Sequence, residues 1–183
     1  LTSLPDEESK FPAGRDAWLE AIMDKYGESL TKMAYNYVKD WKLAEDIVQD
    51  IFVTCYHNYD KIDQILSFKA WIFRLTINKS KDLLKSSVYR KTVVQSSILT
   101  LFKSNDPAPE TVIIKQNEEE LLALSVLDLP MKYREVIILH YYEDLPIEKI
   151  CEILVMNPNT VKTRLSRGRA RLKKLLERRG DHE

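Results

Sequence analysis

The sequence predicts an all-α chain made of two small helical domains joined by a flexible linker, the second domain ending in a helix-turn-helix. Three observations carry this. Glycine is scarce, with four in 183 residues, and apolar residues recur at helical intervals instead of alternating. From about 91 to 111 that periodicity fails, and Ser96, Ser97, Ser104, Asn105, Asp106, Pro107 and Pro109 break any regular element. Near the end, a short amphipathic segment, a three- or four-residue break and a strongly cationic helix follow one another.

The elements follow in order. Residues 1–14, polar with Pro5, Pro12 and Gly14, read as a flexible N-terminal tail. From about Asp16 to Lys39 the residues Trp18, Ile22, Tyr26, Leu30, Met33, Ala34, Tyr37 and Val38 lie at helical spacing. Asp40 is an N-cap for a second helix from Trp41 to about Asn58, with Leu43, Ala44, Ile47, Ile51, Val53 or Thr54, and Cys55 facing a core. Tyr59 to Ser67 read as a loop. A long helix from about Phe68 to Tyr89 places Trp71, Ile72, Leu75 and Leu83 inward, with Phe68 a further candidate, and closes a first domain over residues 15–90. After the linker at 91–111, a second domain over 112–179 starts with helices at about Val112–Leu127 and Pro130–Tyr142.

The helix-turn-helix reads residue by residue. Ile147, Ile150, Cys151 and Leu154 form one face of its first helix, and Pro146 suits the opening turn, where no backbone N–H is required. After Val155-Met156-Asn157, Asn157 is an N-cap and Pro158 a first helical residue, and Val161, Leu165, Leu172 and Leu176 form an apolar stripe. Cations cover the other faces, as in a helix that enters the major groove and holds phosphates alongside.

Zero formal net charge conceals a sorted distribution. Residues 1–66 hold seven cationic side chains against thirteen acidic, and residues 67–91 seven against one. Residues 92–156 hold five against eleven, and residues 157–183 nine against three. Two basic segments between acidic ones predict two DNA-facing surfaces on a body whose remainder resists nonspecific DNA or meets a basic protein partner. Cys55 and Cys151 sit in amphipathic patterns as reduced core thiols, and His57, His140 and His182 lack ligand spacing, so neither metal nor cofactor is expected. No apolar run is long enough to span a bilayer and the acidic N-terminus has no signal-peptide pattern, which gives the expectation of a cytoplasmic protein. Without a nucleophile–base pair or a phosphate-binding glycine loop, an enzyme is not expected.

Three motifs then stand in a fixed order: Ala44-Glu-Asp-Ile-Val-Gln-Asp-Ile-Phe52, Phe68-Lys-Ala-Trp-Ile-Phe-Arg-Leu-Thr-Ile-Asn-Lys-Ser-Lys-Asp-Leu-Leu-Lys85, and Asn159-Thr-Val-Lys-Thr-Arg-Leu-Ser-Arg-Gly-Arg-Ala-Arg-Leu172. Together they resemble the polymerase-docking helix, promoter-melting helix and upstream recognition helix of the bacterial RNA polymerase sigma factors of extracytoplasmic-function type, in the sigma-70 superfamily. The resemblance covers nearly the whole chain. It implies docking on the clamp coiled coil of the polymerase largest subunit through Asp46, Gln49 and Asp50, and a second contact on the polymerase flap. It implies minus-10 recognition and strand opening by Arg74, Asn78, Lys79, Lys81, Lys85 and Arg90, with the Tyr59–Ser67 loop pocketing a flipped base. For the minus-35 element it implies Asn159, Thr160, Lys162, Thr163, Arg164, Arg167 and Arg171, with Arg169 and Lys173 farther along. An anti-sigma factor is the implied inhibitor.

One departure stands out, because family members commonly have glycine in the turn that holds Val155, and valine is strained in a left-handed conformation. The rival readings are a helix-turn-helix activator or repressor with a helical domain in front, and a helical adaptor whose basic faces meet acidic proteins.

Overall fold

The structure, a computed structural model, describes residue 12, residues 14–86 and residues 118–180. Linker residues 91–111, most of the N-terminal tail and Arg90 lie outside the described residues.

The first bundle holds α1 (Arg15–Val38), α2 (Trp41–His57), a 3₁₀ segment (Tyr59–Gln64) and α3 (Phe68–Lys85). All eight α1 residues expected in the core are buried, because an uninterrupted 3.6-residue period leaves one face for the partner helices. Lys39 ends α1 in the left-handed region at φ 58°, and the chain turns at once into α2. Asp40 Oδ1 accepts the Leu43 N–H at 2.9 Å, as an N-cap does. On α2, Val48 and Phe52 are buried and Val53 is exposed, because the helix is covered on two sides by α1 and α3.

The Tyr59–Ser67 stretch is largely a 3₁₀ turn, tied down by Tyr59 against Trp18 with ring centroids 5.3 Å apart and by an Arg15–Asp60 ion pair at 2.8 Å. Helix α3 starts under the Ser67 cap and ends at Lys85, short of Tyr89. Its buried face is Phe68, Ala70, Ile72, Phe73, Thr76, Ile77 and Ser80, while Trp71, Leu75 and Leu83 are half-buried at the core edge. Thr76 and Ser80 fit this face because each hydroxyl donates to a carbonyl one turn back, Ile72 O and Thr76 O.

The second bundle holds α4 (Glu118–Leu127), α5 (Met131–Ile137), a π-helical turn (Ile138–Tyr142), α6 (Ile147–Leu154) and α7 (Pro158–Gly180). The helix expected to run from Pro130 to Tyr142 therefore changes winding at Ile138, where the Glu143 N–H reaches back to Ile138 O at 3.2 Å. Gly168 lets α7 lie close on α5: a Cβ there would stand 3.1 Å from Ile137 Cγ1.

Between α6 and α7, Val155 adopts φ 53° and ψ 57°, the left-handed cap, and Met156 N–H reaches back to Cys151 O at 3.1 Å. The turn therefore keeps the geometry that glycine favours. Val155 is 72% exposed, so no packing of its side chain offsets the strain. Asn157 Oδ1 accepts the Thr160 N–H at 2.8 Å and caps α7.

The two bundles pack together, chiefly through α3 against α6, with α1 touching α5. Among the described residues no helix is long and apolar enough to cross a membrane, and no group of His, Cys, Asp and Glu is arranged to hold a metal ion.

Candidate nucleic-acid interface

Helix α2 presents Glu45, Asp46, Gln49 and Asp50 to solvent because its apolar residues fill the opposite sides. Beside Gln49 runs a shallow groove of about 490 Å³ lined by Leu19, Met23, Phe52, Val53 and Tyr56. Met23 and Val53 are exposed there. Sequence reasoning missed this apolar strip: of the two alternatives for the core face, Val53 or Thr54, Val53 is exposed and Thr54 half-buried, and Met23, out of phase with the α1 core residues, was the strip's one visible signal. An acidic and amide edge next to apolar side chains suits a partner helix carrying both cations and apolar surface.

On α3, Arg74, Asn78, Lys81 and Lys85 repeat at the four- and three-residue steps that share a face, with Lys79 to one side. Arg74 and Asn78 are exposed. The others have partners: Lys79 Nζ lies 2.9 Å from Asp50, Lys85 Nζ 3.4 Å from Asp82, and Lys81 Nζ 3.1 Å from Glu135 of the second bundle. Trp71 is half-buried against Phe68, with ring centroids 5.6 Å apart. Just before α3 stands Leu66, 95% exposed, a large apolar side chain that the sequence reading did not single out.

On α7, an open groove of about 510 Å³ brings together Asn159, Thr160, Thr163, Arg164 and Arg167, and adds Lys132, Tyr133 and Asn157. Lys162 and Arg171 are exposed outside this lining; the Arg171 guanidinium lies 5.2 Å from the Tyr133 ring centroid. Arg169 donates to the Tyr141 hydroxyl at 3.2 Å. Arg164 is 26% exposed and donates to Glu135 Oε1 at 2.9 Å, so its charge is held at the floor of the groove.

Glu135 is the feature that sequence reasoning passed over. Its side chain is 4% exposed, and its carboxylate also accepts from the Tyr37 hydroxyl at 2.7 Å. Burial, together with the neighbouring Glu135 charge and this hydrogen bond, pushes the Tyr37 phenol well above its ordinary value. A buried carboxylate is tolerable only with such partners, and here three meet it. An acid beside Arg134 in an apolar helix was its only trace in the sequence.

Comparison with known proteins follows the same division. Residues 22–88 match the family model for sigma-70 region 2, and residues 120–172 match that for sigma-70 region 4. The chain is 32% identical over 169 residues to the ECF RNA polymerase sigma factor SigW of Bacillus subtilis, covering 88% of this chain and 90% of that protein. It is 27% identical to RNA polymerase sigma factor SigV of the same organism, over 82% of this chain and 86% of that one. Among solved structures it is similar to CnrH in complex with the cytosolic domain of CnrY, at 25% identity and TM-score 0.62, covering 90% of both chains. The fold is also that of the sigma factor RpoE in complex with the anti-sigma factor NepR from Bartonella quintana, at 24% identity and TM-score 0.65, over 86% of this chain and 96% of that one. Two regions in the right order, on the helices that carry the three motifs, and a relative aligned along almost its full length make this chain a member of the extracytoplasmic-function sigma factors of the sigma-70 family, which direct RNA polymerase to promoters.

Proposed function

We propose a division of labour along the chain. The exposed edge of α2 at Asp46, Gln49 and Asp50, with the apolar strip of Met23 and Val53, docks on a helical element of core RNA polymerase. The α3 face with Arg74, Asn78, Lys79, Lys81 and Lys85 tracks the opened minus-10 strand, with Asn78 offering both donor and acceptor to a base edge. Arg90 extends that basic track in the sequence. The N-terminal turns of α7 enter the minus-35 major groove: Asn159, Lys162, Thr163 and Arg167 reach for base edges, Thr160 and Arg171 for phosphates, and Arg164 at the groove floor. The observation that carries this reading is the groove on α7, where polar and cationic ends converge on one open surface.

A role in a stress or envelope response follows from the family type. The protein works in the cytoplasm, where its polymerase is, and an anti-sigma factor restrains it, as the partners named for the two similar structures suggest. Catalysis belongs to the polymerase.

Reconstituted core polymerase with this chain, transcribing a randomised promoter library, tests the reading. Enrichment of two sequence blocks at fixed spacing is the expected result. Failure to co-elute with core polymerase, or a duplex operator bound by a dimer of the chain alone, would favour a helix-turn-helix activator instead.

A further inference from the structure

Arg15, in the first turn of α1, holds the Tyr59–Ser67 stretch from outside. Its guanidinium donates to Asp60 Oδ2 at 2.8 Å and stands 5.3 Å from the Tyr56 ring centroid on α2 and 5.5 Å from that of Tyr59. Three residues along α1, Trp18 meets the Tyr59 ring edge to face at 5.3 Å and Phe68, the first residue of α3, at 5.6 Å. The start of α1 therefore grips the end of α2, the 3₁₀ turn and the start of α3 together.

The turn does not fix its own position. None of the residues Tyr59–Gln64 is fully buried, and the bonds from Lys61 N–H to Asn58 O and from Ile65 N–H to Ile62 O, both 2.9 Å, bend the chain without tying it to a neighbouring helix. Tyr59 and Ile62 rest half-buried on the core. Past them Gln64 and Leu66 are exposed, just ahead of the Ser67 cap of α3. The Arg15 and Asp60 side chains are 40% and 75% exposed, so their ion pair adds little to stability. What it decides is where the turn stands. An arginine suits that task, because its planar cation lies against aromatic rings while its forked donors reach a carboxylate.

From this geometry we infer that Arg15 is a positioning residue for minus-10 recognition, which clasps the turn through Asp60, Tyr56 and Tyr59 and so sets where Gln64 and Leu66 stand at the start of α3. The inference rests on the promoter reading above, with the Tyr59–Ser67 stretch pocketing a flipped base. Such a pocket discriminates only while its walls keep their spacing, since a shift on the order of 1 Å forfeits a polar contact. The Arg15 guanidinium is engaged by Asp60 and two rings, and it acts through the turn.

The test uses the full chain with core polymerase and a promoter whose minus-10 region is pre-melted by mismatches, so that strand opening does not enter. Each base in turn is placed at every minus-10 position of the displaced strand, and competition binding gives the preference. Arg15→Ala should keep its helical circular dichroism and its co-elution with core polymerase, and should lower discrimination at one minus-10 position about tenfold, the size of one mismatched base contact. Arg15→Lys, which keeps a cation beside Asp60 and the rings, should recover most of that discrimination. Asp60→Ala should reproduce the defect, and the double variant should be no worse than either single one, as for two groups acting through one contact. Minus-35 preference should stay unchanged in all of them.

An unaltered minus-10 preference in Arg15→Ala, additive losses in the double variant, or an equal loss of minus-35 preference overturns the clasp. Loss of helical signal in Arg15→Ala overturns it too, by making the residue a support of the whole bundle. In each of these cases the promoter reading stands. A wild-type chain without any minus-10 preference removes that reading, and the clasp with it.

Discussion

The Asp50 carboxylate and the Lys79 ammonium meet at 2.9 Å and join the proposed docking helix to the proposed melting helix. Both side chains are more than half exposed, so the pair adds at most about 1 kcal/mol to stability. It is a contact that a polymerase cation and a DNA phosphate can replace at once. Replacing Asp46, Gln49 and Asp50 together with Ala should leave helical circular dichroism intact and weaken co-elution with core polymerase. Unchanged co-elution would remove α2 from the docking surface.

Val155 occupies the left-handed turn between α6 and α7 with no packing in return. Val155→Gly should stabilise the fold by about 1 kcal/mol, the steric relief of a residue at positive φ less the backbone entropy that glycine costs. Chemical denaturation of both proteins gives the comparison. A destabilised variant would mean that the turn relaxes to another conformation in solution.

Arg164 and Arg167 should separate structure from recognition. Arg164→Ala leaves the buried Glu135 carboxylate without one of its cations and should cost about 3 kcal/mol of stability. Arg167→Ala should leave stability within about 0.5 kcal/mol and reduce minus-35-dependent recruitment by about 1 to 3 kcal/mol. Equal losses of stability in the two variants would deny Arg164 its place at the groove floor.

Asn78→Ala and Leu66→Ser should both impair strand opening. Asn78 carries the base-edge chemistry, and the exposed Leu66 side chain is the kind of apolar wedge that unstacks bases. Permanganate reactivity of unpaired thymines should fall at a duplex promoter and recover when the minus-10 region is pre-melted by mismatches. A defect that pre-melting fails to relieve would assign the residue to recruitment.

Tyr37 sets an alkaline limit. Its folded-state pKa is raised, first by burial and then by Glu135, while a tyrosine in an unfolded chain ionises near 10. The folded state therefore holds the proton more tightly. The resulting stabilisation is complete below about pH 10 and is lost as the pH rises above it. The stability advantage of the wild type over Tyr37→Phe should be constant from pH 7 to 9 and shrink above pH 10 in thermal melts. An advantage that grows with pH would contradict the buried hydrogen bond.

Much of this was legible in the sequence because it depends on local period and local chemistry. The eight buried residues of α1, the Asp40 and Asn157 caps and the helix-turn-helix follow from the 3.6-residue repeat and from which side chains accept a backbone N–H. The cationic faces of α3 and α7 are equally local, since charge on a helix surface repeats with the same period.

What the tertiary structure decided is which of several possible faces meets a neighbour. Of the face expected inward on α3, Phe68 and Ile72 are buried, but Trp71, Leu75 and Leu83 stay half-buried while Phe73 and Ile77 are buried, because α3 packs on α1 and α2 on one side and on α6 on another. Met23 and Val53 are left outside because, among the described residues, no helix covers that edge of α1 and α2. Above all, the burial of Glu135 depends on α1, α3 and α7 converging on one point from positions 98, 54 and 29 residues away in the chain. No periodicity encodes that meeting, because the pairing of buried charges is a property of the packed chain and not of any one helix.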